Sequence, residues 1–195
     1  MLSDTALWLL PDLEAGVLTE NERAILLGIA RQSLEAAVRN GPTPKFGKLT
    51  DTLGSKTGAF VTLKKQGQLR GCIGYLEPVK PLYLTVAEMA VSAGTGDPRF
   101  YPVREDELED IEIEISVLSP LKEICGVSEI QVGRDGIYVV KEFRSGVLLP
   151  QVAAEYGWDS QTFLEQTCLK AGLPNDAWQK GAKIYTFTAE VFGEN

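Results

Sequence analysis

Polar and apolar residues alternate most regularly between 111 and 119. Ile111, Ile113, Ile115 and Val117 fall on one side, and Glu112, Glu114 and Ser116 on the other, which is the period of a strand with one buried face. A second alternation, with Ala59, Val61 and Leu63 on one face, predicts a strand over 59–65. Gln66-Gly67-Gln68 then turns the chain, and 69–75 returns beside it as the other arm of a hairpin. Gly133-Arg134-Asp135-Gly136 carries the turn chemistry of a further hairpin, flanked by apolar runs at 130–132 and 137–141. A last alternation, Tyr185, Phe187, Ala189 and Val191, predicts one continuous strand over 183–192.

Between these strands the period changes to that of helices. Thr19-Glu20-Asn21-Glu22 reads as a capping box, followed at helical spacing by Leu27, Ala30, Leu34, Ala37 and Val38 and stopped by Asn40-Gly41-Pro42. Pro81 opens a second amphipathic helix through Leu82, Val86, Met89, Ala90 and Ala93, which ends at Gly94-Thr95-Gly96. Asp159 caps a third over 160–171, closed by Gly172 and Pro174. Residues 43–58 and the apolar stretch 148–152 read as loops. Hairpins separated by independent helices, without regular β-α-β alternation, predict an α+β fold: a mostly antiparallel sheet with flanking helices. The expected division is a larger subdomain from 1–125 with 181–195, a smaller one from 126–180, and a cleft between them.

Charge and composition narrow the function. The 195 residues carry 19 basic and 27 acidic side chains, a net charge of −8, so the chain repels polyphosphate and nucleic acid is not an expected partner. No apolar run is long enough to span a bilayer, and Met1-Leu2-Ser3-Asp4 lacks the positive start of a secretory signal. Three widely spaced cysteines, Cys72, Cys125 and Cys168, fit a reducing cytoplasm better than a disulfide framework. The sequence contains no histidine. A Ser-His-Asp triad, a Cys-His dyad and imidazole-ligated metal sites are therefore excluded, and no metal or cofactor is expected.

The most informative segment is Leu69-Arg70-Gly71-Cys72-Ile73-Gly74. Its thiol lies between glycines that permit close approach, Arg70 would favour the nucleophilic thiolate, and N–H groups beside Gly71 and Gly74 would cradle an anion. The bland alternative is a bulged strand around an inert, packed cysteine. In Asp97-Pro98-Arg99-Phe100 the proline stiffens a turn, so that Asp97 and Arg99 either hold a polar ligand or form a local ion pair. Glu112 and Glu114 share a strand face about 6–7 Å apart, where they would act as acid and base, bind a hard cation, or simply form the solvated side of the strand. Gln151, a lone amide in Leu148-Leu149-Pro150-Gln151-Val152, would bind a ligand or satisfy nearby backbone. Cys72 is thus the candidate catalytic residue, with Arg70, Gly71, Gly74, Asp97, Arg99, Glu114 and Gln151 as candidate binding residues.

Taken in order, these segments together with Phe60-Val61-Thr62-Leu63, Glu114-Ile115-Ser116-Val117-Leu118 and Lys170-Ala171-Gly172-Leu173 resemble the AMMECR domain family over roughly residues 20–193. The resemblance implies two subdomains with the motif segments gathered near a cleft. It also implies the company of a Memo-like protein and a radical-SAM enzyme, the AmmeMemoRadiSam system. It implies no particular reaction. The sequence departs from the family's pattern in the glycine-rich Ser92-Ala93-Gly94-Thr95-Gly96 and in the short turn at 66–68. Two readings follow: a cytoplasmic accessory protein that binds a small molecule or partner, and a Cys72-dependent group-transfer enzyme. Homo-oligomerisation is compatible with both.

Overall fold

The computed structural model describes residues 18–47 and 49–194. The segment considered above for a secretory signal lies outside them. The chain forms α1 (Glu20–Val38), α2 (Asp51–Gly54), β1 (Ala59–Lys65), β2 (Gln68–Tyr75), α3 (Leu82–Thr95), β3 (Ile111–Leu118) and β4 (Lys122–Ile124). It continues with β5 (Gly136–Lys141), β6 (Arg144–Leu148), α4 (Pro150–Tyr156), α5 (Ser160–Lys170), β7 (Lys183–Phe187) and β8 (Ala189–Gly193). Two antiparallel four-stranded sheets result, ordered β2-β1-β3-β8 and β4-β7-β5-β6. This is the α+β class that the pattern predicts. No helix among the described residues is long and apolar enough to cross a membrane.

Each sheet has its own core. Ala59, Val61, Leu63, Ile113 and Ile115 point from the first sheet into α1 and α3, where Leu26, Ala30, Leu34, Val86 and Ala90 close the layer. The α1 start has the full capping box, with Glu22 N–H donating to Thr19 Oγ1 at 3.2 Å and Thr19 N–H to Glu22 Oε2 at 3.0 Å. Gly94 lies where α3 meets α1. A Cβ there would collide with Leu34, which gives the glycine-rich helix end a packing reason. The second core joins Ile137, Val139 and Ile184 to Phe163, Leu164 and Cys168 of α5. The segment from β4 to β7 builds this second layer.

Three local predictions are corrected. The expected strand over 183–192 is two strands in different sheets. Ser119 N–H donates to the Thr188 carbonyl and Thr188 N–H to Ser119 Oγ, each at 2.9 Å, where the chain crosses over. Its buried residues are Ile184, Thr186 and Phe187, and Phe192 packs on the first core, while Val191 is exposed. The hairpin partner of β5 is β6, through Glu142-Phe143, with Glu142 in the left-handed region at φ 55°. Residues 131–135 instead form a loop that the buried Asp135 carboxylate closes by accepting Gln131 N–H at 2.8 Å. The supposed loop at 148–152 contains the start of α4, with Pro150 in its first turn.

At the hairpin of β1 and β2 the register slips between Leu63 and Lys64, leaving Arg70 as the extra residue of a bulge. The bulge turns its guanidinium onto Glu107, with Nε at 3.1 Å and Nη2 at 2.9 Å, and onto the Tyr101 carbonyl at 2.9 Å. Arg70 foremost, with the Arg104 N–H and Lys65, holds the Glu107 carboxyl down to about 2. A carboxyl depressed in the fold contributes stability above its ordinary titration range and loses it as pH falls toward the folded value. Glu107→Gln is expected to cost about 2–3 kcal/mol near pH 7, as a partly buried pair. In urea unfolding the gap to wild type should narrow between pH 4.5 and about 2. A gap that stays constant over that range would contradict the assignment.

Candidate functional site

In the antiparallel ladder Cys72 stands opposite Thr62, and Thr62 opposite Glu114. β2 is an edge strand, so half of its backbone groups have no neighbouring strand. At Cys72 both outward groups are taken. Its N–H donates to Asp97 Oδ2 at 2.9 Å, and its carbonyl accepts from Arg99 Nη2 at 3.2 Å. Cys72 and Thr62 therefore form a non-hydrogen-bonded pair, the kind whose side chains lie closest. The Thr62 hydroxyl donates to Cys72 Sγ at 3.3 Å.

The local sequence explains how Asp97 reaches this edge. Phe100 N–H donates to the Asp97 carbonyl at 3.1 Å across a turn with Pro98 at its second position, which suits the ring's fixed φ. Asp97 Oδ1 accepts the Arg99 N–H at 3.1 Å, a turn-closing bond typical of aspartate. Arg99 folds back with Nε on Oδ1 at 3.0 Å and Nη2 on Oδ2 at 2.7 Å. With Cys72 N–H, four donors fill the carboxylate, whose side chain is 1% exposed. The bidentate arginine first, then the Cys72 and Arg99 N–H groups, hold its pKa well below the usual carboxylate range against the opposing effect of burial.

The other sequence candidates divide. Cys72, Asp97 and Arg99 converge. Glu114 shares the Cys72 face of the sheet but lies two strands away, ion-paired with Lys64 at 2.8 Å. Gly71 and Gly74 are both close-packed. A Cβ on Gly71 would strike the Ala93 carbonyl of α3, and one on Gly74 would strike the Phe60 ring. Arg70, expected beside the thiol, is held by Glu107 in the bulge. Gln151 is half-buried in the first turn of α4, with no side-chain bond to the Cys72 segment among the described residues.

Lys170 is the residue that sequence reasoning left out of the site. A cavity of about 660 Å³ has Phe60, Gly74 and Tyr75 of the first sheet on one side and Tyr138, Gly146 and Val147 of the second on the other, with Lys170 among its walls. Lys170 ends α5, which lies close on β6 because Gly146 has no Cβ to meet the Ala171 backbone. Its side chain keeps solvent contact, yet the protein around it strips enough water from the ammonium to lower its pKa. Desolvation is the main cause, Cys72 opposes the fall and Arg99 adds to it. Lys80, hydrogen-bonded to Glu88, is shifted up instead. A lower pKa leaves more free amine near pH 8, so acetic anhydride is expected to modify Lys170 several-fold faster than Lys80, read by peptide mass spectrometry. Equal rates would contradict this placement of Lys170.

The AMMECR1 family model matches residues 27–192. A Methanothermobacter thermautotrophicus protein is 45% identical over 186 residues, covering 91% of this chain and 97% of its own. A Thermococcus onnurineus protein is 48% identical over 182 residues, covering 87% and 88%. The crystal structure of the uncharacterized protein PH0010 from Pyrococcus horikoshii superposes with a TM-score of 0.83 at 41% identity, covering 88% of this chain and 90% of that one. A family model that matches most of the chain, and relatives above 40% identity along nearly all of it, show that the chain belongs to the AMMECR1 family.

Proposed function

We propose that this chain is a cytoplasmic accessory protein that binds a small molecule in the cavity beside the Cys72 segment and acts with a Memo-like protein and a radical-SAM enzyme. The observation that carries the reading is the cavity itself. Aromatic and aliphatic side chains of both sheets line it, and a fixed polar edge at Cys72–Asp97–Arg99 lies two residues along β2 from its Gly74 wall. Such a mixture, mostly apolar with a few convergent polar groups, is the usual composition of a small-molecule site. The partners come from the family resemblance.

A second reading is favoured by Lys170 lining the cavity that borders Gly74, two residues from Cys72. In a group transfer the Lys170 amine would take the thiol proton and the thiolate would attack an acyl carbon. A thioester would form, and the leaving group would depart with the electrons of its broken bond.

Sedimentation of the chain with the Memo-like and radical-SAM proteins of its own organism tests the first reading. A defined complex is expected, and Cys72→Ser should retain it. Clean separation of all components would overturn the accessory role. A Cys72-linked acyl adduct on incubation with thioesters, absent in Cys72→Ser, would favour the second.

A further inference from the structure

We propose that the molecule bound in the cavity at Gly74 and Lys170 is an amphiphilic anion, with its apolar body against Phe60, Tyr75 and Tyr138 and its carboxylate or similar oxoanion at Lys170, the N–H of Gly74 and the neighbouring Arg99. This inference rests on the ligand-binding reading above and names the chemical class that the site selects. Three independent features lead to it.

The first is the cation. Lys170 makes no ion pair or hydrogen bond among the described residues, although the chain carries eight more acidic than basic side chains and many of its other cations are paired. Glu77 also lines the cavity, beyond the end of β2, but is not paired with Lys170. The nearest cation along the strand edge is Arg99, whose Nη2 lies on the Cys72 carbonyl, two residues from the Gly74 that lines the cavity with Lys170.

The second is Arg99. Its Nε and Nη2 are committed to Asp97 and to the Cys72 carbonyl, which fixes the guanidinium plane. Nη1 has no partner among the described residues, and the side chain is 54% exposed. Asp97 orients the arginine without using all of its donors, so a planar anion meets a preorganised N–H edge.

The third is the strand edge itself. Because N–H and C=O directions repeat every second residue, those of Gly74 point outward as those of Cys72 do. Asp97 and Arg99 satisfy the pair at Cys72, whereas the pair at Gly74 has no partner among the described residues and borders the cavity. Gly74 is half-buried beneath the Phe60 ring, so an acceptor that reached its N–H would lie against the aromatic wall. A bound anion would give Lys170, Arg99 Nη1 and this N–H a charged acceptor that a neutral ligand lacks.

Amide NMR of the full chain with benzoate, phenylacetate and hexanoate, each beside its primary amide, tests the inference. Shifts centred on Gly74, Tyr138 and Gly146 are expected, with each carboxylate binding about tenfold or more tightly than its amide. Lys170→Ala should remove that preference and Lys170→Arg should keep it. Lys45→Ala, in the separate groove between α1 and α3, should change nothing. Amides that bind as well as acids, or a preference that survives Lys170→Ala, would overturn the anionic class and leave the cavity reading intact. No shift at the cavity with any panel member would overturn both.

Discussion

The site depends on one buried carboxylate. An edge strand leaves a row of backbone donors and acceptors that either bind another strand or need local partners. Asp97 supplies one at Cys72 by accepting its N–H, and it positions Arg99 to supply the other by donating to the carbonyl. A single ion pair thus substitutes for a neighbouring strand over one residue. Its consequences are local order and orientation: the thiol faces Thr62, the guanidinium plane is fixed, and the next outward peptide, at Gly74, borders the cavity. Burying a charge is costly unless every acceptor site is used, and at Asp97 all four are.

Much of this frame is legible in the sequence because its signals are local. The Thr19–Glu22 box, the alternation of β3, the tight turn after β1 and the Asp159 cap each depend on residues within a few positions. The errors share a different cause. Residues 183–192 alternate without a break, so nothing nearby reveals that Thr188 hands the chain from one sheet to the other through Ser119, 69 positions earlier. Gly133 to Gly136 has better turn residues than Glu142-Phe143, yet Asp135 spends its carboxylate closing a loop and the hairpin forms where the chemistry looks worse.

The site was legible to the same depth. Asp97 and Arg99 were readable as a stiffened turn, and Cys72 as a residue between glycines. The glycines proved to serve packing: Gly71 against α3 and Gly74 beneath Phe60. The Arg70 bulge reverses the expectation that sequence neighbours stay neighbours, since one extra residue moves the guanidinium to Glu107. Lys170 is about a hundred positions from Gly74 and shares a cavity with it at the end of α5, which Gly146 lets settle on β6. The signal that could have pointed to it was the Lys170-Ala171-Gly172-Leu173 segment within the family resemblance, for which helical periodicity alone offered no role.

The central claim, that Asp97 completes the exposed edge of β2, is tested most directly by amide hydrogen exchange at Cys72. In wild type this amide should exchange about as slowly as that of Thr62, whose N–H lies inside the sheet. In Asp97→Ala it should exchange about 100-fold faster relative to Thr62. A Cys72 amide that exchanges at unprotected rates in wild type, or keeps its protection in Asp97→Ala, would contradict the account.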